Sequence, residues 1–222
     1  MKNAAILWTG GKDSALALFE SIGKFALDRL VTFVPEPQTE FLAHPVTLMK
    51  FQAESIGLRH QNIPIRKPFK DSYVEAIAGL KESGVEVLIT GDISSVNNQP
   101  NWIKQCAEGI LETHMPLWEV NRKELLHKLR DNDFEVICSL AYKKDFTNTI
   151  VGKRLDSALI EKLLDLGSRS GFDPCGENGE YHTCVLSAPF FDYKLKLLGE
   201  NIKETDKFYY LVFEEIEKTL KN

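Results

Sequence analysis

The chain has little that would commit it to a membrane, an oxidising compartment or a nucleic-acid backbone. No apolar run approaches the roughly 20 residues that cross a bilayer. The start, Met1-Lys2-Asn3 followed by the five apolar residues Ala4 to Trp8, is too short for a secretory signal, so a cytoplasmic protein with no membrane partner is expected. There are only four cysteines in 222 residues, Cys106, Cys138, Cys175 and Cys184. They form no CxxC pair, which predicts free thiols in a reducing compartment. A cationic excess is missing too: the formal charge of −5 argues against nucleic acid as a partner, because phosphate binding draws on clustered Lys and Arg. Ser/Gly/Pro tracts, long charge blocks and internal repeats are absent, which excludes disordered-tail and solenoid classes. What remains is 43% hydrophobic and 27% charged, enough to bury a core in one large domain or in a domain with a smaller companion.

The first half alternates strand and helix patterns. Short β-branched or apolar runs at residues 4–8, 30–34, 61–65 and 86–90 read as buried strands, and apolar spacing predicts helices over 14–24, 45–56, 72–83 and 102–111. Strands separated by helices pair in parallel through right-handed crossovers, which predicts an α/β, Rossmann-like sheet with helices on both faces. Such sheets bind ligands at the carboxyl ends of their strands. Two unusual stretches fall there: Thr9-Gly10-Gly11-Lys12-Asp13-Ser14 after the first strand, and Gly91-Asp92 after the fourth. The second half is less regular and predicts a smaller α+β domain, with a helix over 122–130, a strand over 135–140, a helix over 155–166 closed by Gly167, a long loop from Ser170 to His182 and a strand over 208–213. The boundary is placed at residue 130, giving domains 1–130 and 131–222.

Two glycines at a strand-to-helix turn allow positive φ and close approach of a ligand to main-chain N–H groups. The unpaired N–H groups and positive dipole end of the following helix face the same space, which suits an anion. Lys12 adds charge, the Thr9 and Ser14 hydroxyls add donors, and Asp13 can hold a Mg²⁺ ion bridging phosphates. The plain alternative is a tight turn with Asp13 or Ser14 capping a helix. A Walker loop would need GxxxxGK[ST] and a dinucleotide fingerprint a third glycine, and neither is present.

The segment Gly171 to Val185, GFDPCGENGEYHTCV, concentrates Glu177, Asn178, Glu180 and His182 between glycines. Polar loops of this kind are costly to bury unless a ligand or the loop's own backbone satisfies them. Glu177 and Glu180 can bind ammonium or another amine and take its proton, with neutral His182 as an alternative base. Zinc on Cys175, His182 and Cys184 is a further reading, without a fourth ligand or standard spacing.

TGGKDS resembles the SGGxDS pyrophosphate loop of the ATP pyrophosphatase, or PP-loop, group, with Thr9 in place of the first Ser. Together with Gln52-Ala53-Glu54, Gly91-Asp92-Ile93, the run from Gln99 to Trp102, Pro116-Leu117-Trp118, the run from Gly152 to Asp156 and Gly176-Glu177-Asn178-Gly179-Glu180, it resembles the diphthine–ammonia ligase family over nearly the whole chain. The family commonly reads GEGGE, so Asn178 and His182 mark a departure. The ENGE-Tyr-His form resembles a bacterial-type branch, for which diphthine is not the expected substrate.

The resemblance implies an adenine nucleotide α-hydrolase type of fold in an ATP-binding domain, with the second domain carrying the substrate loop. It implies an ATP-dependent carboxylate–ammonia ligase that converts ATP to AMP and pyrophosphate. Its partners would be ATP, Mg²⁺, ammonium and a carboxylate on a protein or a small metabolite; a homo-oligomer is left open. Nucleotide contacts are expected from Thr9, Gly10, Gly11, Lys12, Asp13, Ser14 and Asp92, substrate contacts from Gln99, Asn178 and Trp118, and chemistry from Asp13, Glu177, Glu180 and His182. Competing expectations are that Asp92 caps the next segment and that the tryptophans are core. His44, His60, His114 and His127 are expected at the surface or in turns. Two other functions use the same loop. A tRNA-modifying sulfurtransferase would require a catalytic cysteine pair and a basic face, and a non-catalytic ATP sensor would not require the second loop.

Overall fold

The computed structural model describes residues 1–36, 41–95, 99–146 and 149–221. They form two compact units: Met1–Thr9, Asp13–Glu40 and Leu58–Glu119 make the first, and Gly10–Lys12, Phe41–Gly57 and Val120–Asn222 the second.

The first unit holds the parallel sheet. Its strands are β1 (Asn3–Leu7), β2 (Ala26–Pro35), β3 (Arg59–Ile65), β4 (Val87–Ile89) and β5 (Glu112–His114), in the order β3-β2-β1-β4-β5. All four neighbour pairings are parallel. The central strands are apolar along their length because both faces are covered: Ala4, Ala5, Ile6, Val87, Leu88 and Ile89 are fully buried. The helices are α1 (Lys12–Ser21), α3 (Phe69–Glu82) and the short α4 (Trp102–Ala107). On one face Ile77, Leu80, Cys106 and Ala107 close over Ala5, Val31 and Leu88. The expected Rossmann-like arrangement is therefore present, with β5 as a fifth strand that the sequence did not announce. The predicted helix over 102–111 stops at Ala107, and Leu111 N–H bonds back to Ala107 O at 3.0 Å before β5 begins.

Strand order reverses between β1 and β4. Successive crossovers leave β1 toward β2 and β3 on one side, and β4 leads to β5 on the other. The crevice beyond the carboxyl ends of β1 and β4 is thus the place where open α/β sheets hold ligands.

The second unit contains α2 (Val46–Ile56), α5 (Arg122–Asp131), α6 (Ser157–Ser170), a four-stranded sheet and a two-stranded sheet. The larger sheet has the order β7-β6-β10-β9, built from β6 (Glu135–Tyr142), β7 (Tyr181–Ser187), β9 (Asn201–Glu204) and β10 (Phe208–Val212) in antiparallel pairing. The smaller pairs β8 (Tyr193–Leu198) with β11 (Glu215–Leu220). Side-chain caps start the helices: Asn121 accepts from Lys123 N–H and Asp156 from Leu159 N–H.

Two expectations for this half change. Helix α6 runs through Gly167 and ends at Ser170, where Gly171 adopts the left-handed cap at φ 68°. Gly167 is there for room: a Cβ on it would come within 2.4 Å of Pro174 Cγ. Tyr181 and His182 belong to strand β7 rather than to the loop, because they pair with Ala141 and Leu140 of β6. Among the described residues, no helix is long and apolar enough to cross a membrane.

Candidate active site

The TGGKDS loop lies at the β1-to-α1 turn, and its residues divide between the units. Thr9, Asp13 and Ser14 belong to the first; Gly10, Gly11 and Lys12 belong to the second.

In the first unit the loop meets the end of β4. Thr9 Oγ1 and Ser14 Oγ lie 3.4 Å apart, and Ser14 is 4% exposed. Gly91 packs flat against the start of α1: a Cβ there would fall 2.6 Å from the Asp13 carbonyl carbon and 2.7 Å from Ser14 N. No other residue fits without moving the loop. Asp92 N–H donates to Thr90 Oγ1 at 3.3 Å, and the Thr90 hydroxyl donates to Asp92 Oδ2, so a small local turn fixes the carboxylate. The two stretches singled out in the sequence are therefore neighbours at the topological switch point.

In the second unit the loop centre lies beside β7 and α2. Gly10 has φ 75°, and its carbonyl accepts from Val185 N–H at 2.9 Å and from Gln52 Nε2 at 2.9 Å. The fully buried Gln52 amide gives its other hydrogen to Val185 O at 2.8 Å, so one side chain clamps loop, helix and strand together. Lys12 N–H donates to Thr183 Oγ1 at 3.0 Å. Lys12 Nζ donates to Cys175 O at 2.5 Å and lies 5.5 Å from the centre of the Tyr181 ring. With 2% exposure, this lysine joins the amino-terminal motif to the loop before β7. The first and last motifs of the sequence, more than 160 residues apart, are thereby in direct contact.

That second loop is held largely by its own side chains. Glu180 is 5% exposed; its carboxylate accepts from Asp173 N–H at 2.8 Å, Asn178 N–H at 3.1 Å and Asn178 Nδ2 at 3.4 Å. Asn178 is spent on the same turn. Asp173 receives a forked guanidinium from Arg122, Nε at 3.0 Å and a terminal nitrogen at 2.9 Å. The ion pair keeps the Arg122 pKa raised against the opposing effect of burial, with Glu177 adding to its field. Glu177 is partly exposed beside that arginine.

Two imidazoles complete the cluster. The rings of His182 and His44 meet edge to face at 5.2 Å. Burial, then His182 and Lys12, push the His44 pKa down to about 3, and burial, then Lys12, push His182 down to about 4. Both are neutral at pH 7. Cys138 and Cys184 lie on the adjacent paired strands, each pushed up to about 12, chiefly by burial, and remain thiols.

Not every expected site residue joins these groups. Trp118 lines a separate cleft of about 690 Å³ in the first unit with Asn101, Lys104, Gln105, Thr113 and Met115, none of them from the 9–14 loop. Gln99 is exposed. Trp102 is 43% exposed and packs on Tyr73, so it is not the core residue that was expected. Two histidines expected in turns or at the surface are strand residues: His60 of β3 shares a 2.8 Å contact with Thr32 Oγ1, and His114 of β5 packs on Phe25. The residues that sequence reasoning missed are His44, Thr183 and Arg122. The motif pattern held no signal for them, because each becomes relevant only through a contact distant in sequence. Among the described residues, no group of three or more His, Cys, Asp or Glu is arranged to hold a metal. Asp13, half-buried in the first turn of α1, suits Mg²⁺ arriving with phosphates, since that ion is commonly held by one or two carboxylates and completed by substrate oxygens.

Comparison with known proteins gives the family. Residues 1–112 match the family model of the diphthamide synthase N-terminal domain, and residues 121–221 match that of the diphthamide synthase C-terminal domain. A curated relative, diphthine–ammonia ligase of Schizosaccharomyces pombe, is 28% identical over 120 residues, 54% of this chain; the match spans 20% of that protein's length. Among solved structures, a predicted subunit of tRNA methyltransferase from Methanocaldococcus jannaschii aligns with a TM-score of 0.48 at 14% identity, covering 84% of this chain and 98% of its own. A 4-thiouridine synthetase solved with RNA and bound ATP aligns at 0.40 and 17%, covering 84% of this chain and 55% of its own.

Proposed function

The chain belongs to the diphthamide synthase family, and from that premise we propose that it is an ATP-dependent ligase that adenylates a carboxylate and amidates it with ammonia. One observation carries the reading: Lys12 of the amino-terminal loop is hydrogen-bonded to the loop that holds Glu177 and Glu180, so the nucleotide motif and the carboxylate motif share one cluster.

The roles follow from chemistry. The β and γ phosphates of ATP sit on the turn, with Thr9, Ser14 and the first N–H groups of α1 as donors. Negative charge growing on departing pyrophosphate is stabilised there, so attack by the substrate carboxylate falls on the α phosphorus. Asp13 would hold the Mg²⁺ that accompanies the nucleotide, and the ion would supply neutralisation of phosphate charge. Asp92 orients the same region from the end of β4. Activation is needed because a carboxylate at pH 7 is a poor electrophile, and AMP leaves far more readily than oxide. Glu177, partly exposed, takes the proton from the attacking amine. Glu180 shapes the loop, and neutral His182 lies beside it on β7. The sulfur-transfer alternative needs a reactive thiolate, and the thiols of Cys138 and Cys184 at about 12 weigh against it.

Acid-dependent exchange of labelled pyrophosphate into ATP is the test. A panel of carboxylic acids, including a diphthine-bearing protein, is assayed with Mg²⁺, followed by ammonium. Exchange, with AMP as the nucleotide product, is expected; ADP and phosphate would overturn the reading. Tight ATP binding without exchange for any acid would favour the sensor.

A further inference from the structure

His44 stands outside every motif, yet its imidazole is pressed against the glycine doublet. A Cβ on Gly11 would come 3.3 Å from His44 Cε1, the ring atom bonded to both nitrogens. The main-chain N–H of His44 is satisfied by Phe41 O at 3.1 Å, so the backbone of this bend is settled. The side chain is not: Nδ1 is sealed from solvent and has no hydrogen-bond partner. Buried polar atoms are nearly always paired, so a sealed nitrogen without a partner is the wrong place for the ring's one hydrogen. The neighbouring lysine is already engaged, since Lys12 Nζ donates to Cys175 O. A donor next to the doublet with no such commitment is His44.

We propose that His44 is a further nucleotide-binding residue, its neutral imidazole donating a hydrogen bond from Nε2 to a phosphate oxygen of the polyphosphate held on Gly10–Lys12. This rests on the nucleotide reading given above. A neutral imidazole carries one N–H. Placed on Nδ1, that hydrogen would be wasted in a dry contact; placed on Nε2, it is carried by the nitrogen that is not sealed. The His182 ring, set at 84° to it, fixes the plane of the imidazole. Burial, with His182 and Lys12 adding to it, keeps the group uncharged, so the contact adds direction to phosphate binding without a second cation.

The test uses the whole protein with Mg²⁺ and two probes, α,β-methylene ATP and inorganic tripolyphosphate. Long-range proton–nitrogen NMR of the wild-type histidines, with His44 assigned from His44→Gln, is expected to show the Nε2–H tautomer at pH 7 and a shift of that nitrogen when either probe is added. Calorimetry is expected to show binding weakened about tenfold in His44→Ala, restored to within about threefold by Gln, whose amide reaches the Nε2 position, and not restored by Asn. Probe binding that leaves the His44 nitrogens unmoved, or equal affinities across the three variants, overturns the assignment while leaving the nucleotide site intact. Failure of both probes to bind the wild type removes the nucleotide reading and this residue's role with it. The wild-type spectra decide the matter even if His44→Ala does not fold.

Discussion

Gln52 gives the sharpest test of how the loop is held. Its side chain is fully buried, and its amide donates to Gly10 O at 2.9 Å and Val185 O at 2.8 Å. Leucine is close in volume but offers no donor. In Gln52→Leu the Gly10 carbonyl keeps its bond from Val185 N–H, whereas the contribution of Gln52 to Val185 O is lost outright. Two hydrogen bonds at about 1 kcal/mol each give a loss of about 2 kcal/mol. For a chain of this size that is a fall in Tm of about 4–8 °C. Gln52→Glu should be worse at pH 8 than at pH 5, because an ionised carboxylate would face two carbonyl oxygens and only its protonated form can donate. The loop also loses its tether to α2, so binding of α,β-methylene ATP should weaken along with stability. Differential scanning fluorimetry across pH, with calorimetry of the nucleotide analogue, measures both. A Gln52→Leu protein that melts within 1 °C of the wild type and binds the analogue equally well would refute the clamp.

Further expectations concern the switch point, the imidazoles and the second loop. Gly91→Ala puts a methyl group 2.6 Å from the Asp13 carbonyl carbon, so analogue binding should fall at least about tenfold while circular dichroism stays native; unchanged affinity would show that the loop position does not matter. His44 and His182, held at about 3 and about 4 against an ordinary 6.5, bind protons in the unfolded chain first. Their stabilising contribution is therefore complete above pH 6.5 and drains away as pH falls toward 4 and then 3. Each imidazole removes up to about 1.4 kcal/mol per pH unit in that window, so urea midpoints should drop steeply from pH 7 to 5, and a flat profile would contradict the buried pair. Glu177→Gln should abolish amide formation while sparing pyrophosphate exchange, and Glu180→Gln should mainly lower the melting temperature. The reverse pattern would exchange their roles.

Several features were legible in the amino-acid order because they arise locally. Alternating strand and helix patterns announced the parallel sheet, since burial on both faces leaves the central strands continuously apolar. Gly10-Gly11 and Gly91-Asp92 marked the strand ends, because backbone close approaches exclude side chains. Other features were not legible. Gly167 resembled a helix stop but is a seat for Pro174, a packing contact invisible to local propensity. The strands β5, β7, β8, β9 and β11 were missed; β5 has three residues, and the others are stabilised by partners distant in the chain.

The sequence by itself determined where the Gly-Gly turn stands, that strands and helices alternate through the first half, and that a polar Gly-rich loop needed partners from a ligand or from its own backbone. Only the tertiary structure decided that Glu180 serves its own turn, that Lys12 reaches Cys175, that Gln52 ties three segments together and that His44 borders the doublet. All but the first of these are contacts between residues far apart in sequence. Such contacts are set by the register of β7 against β6 and by the placement of α2, which local propensity does not encode.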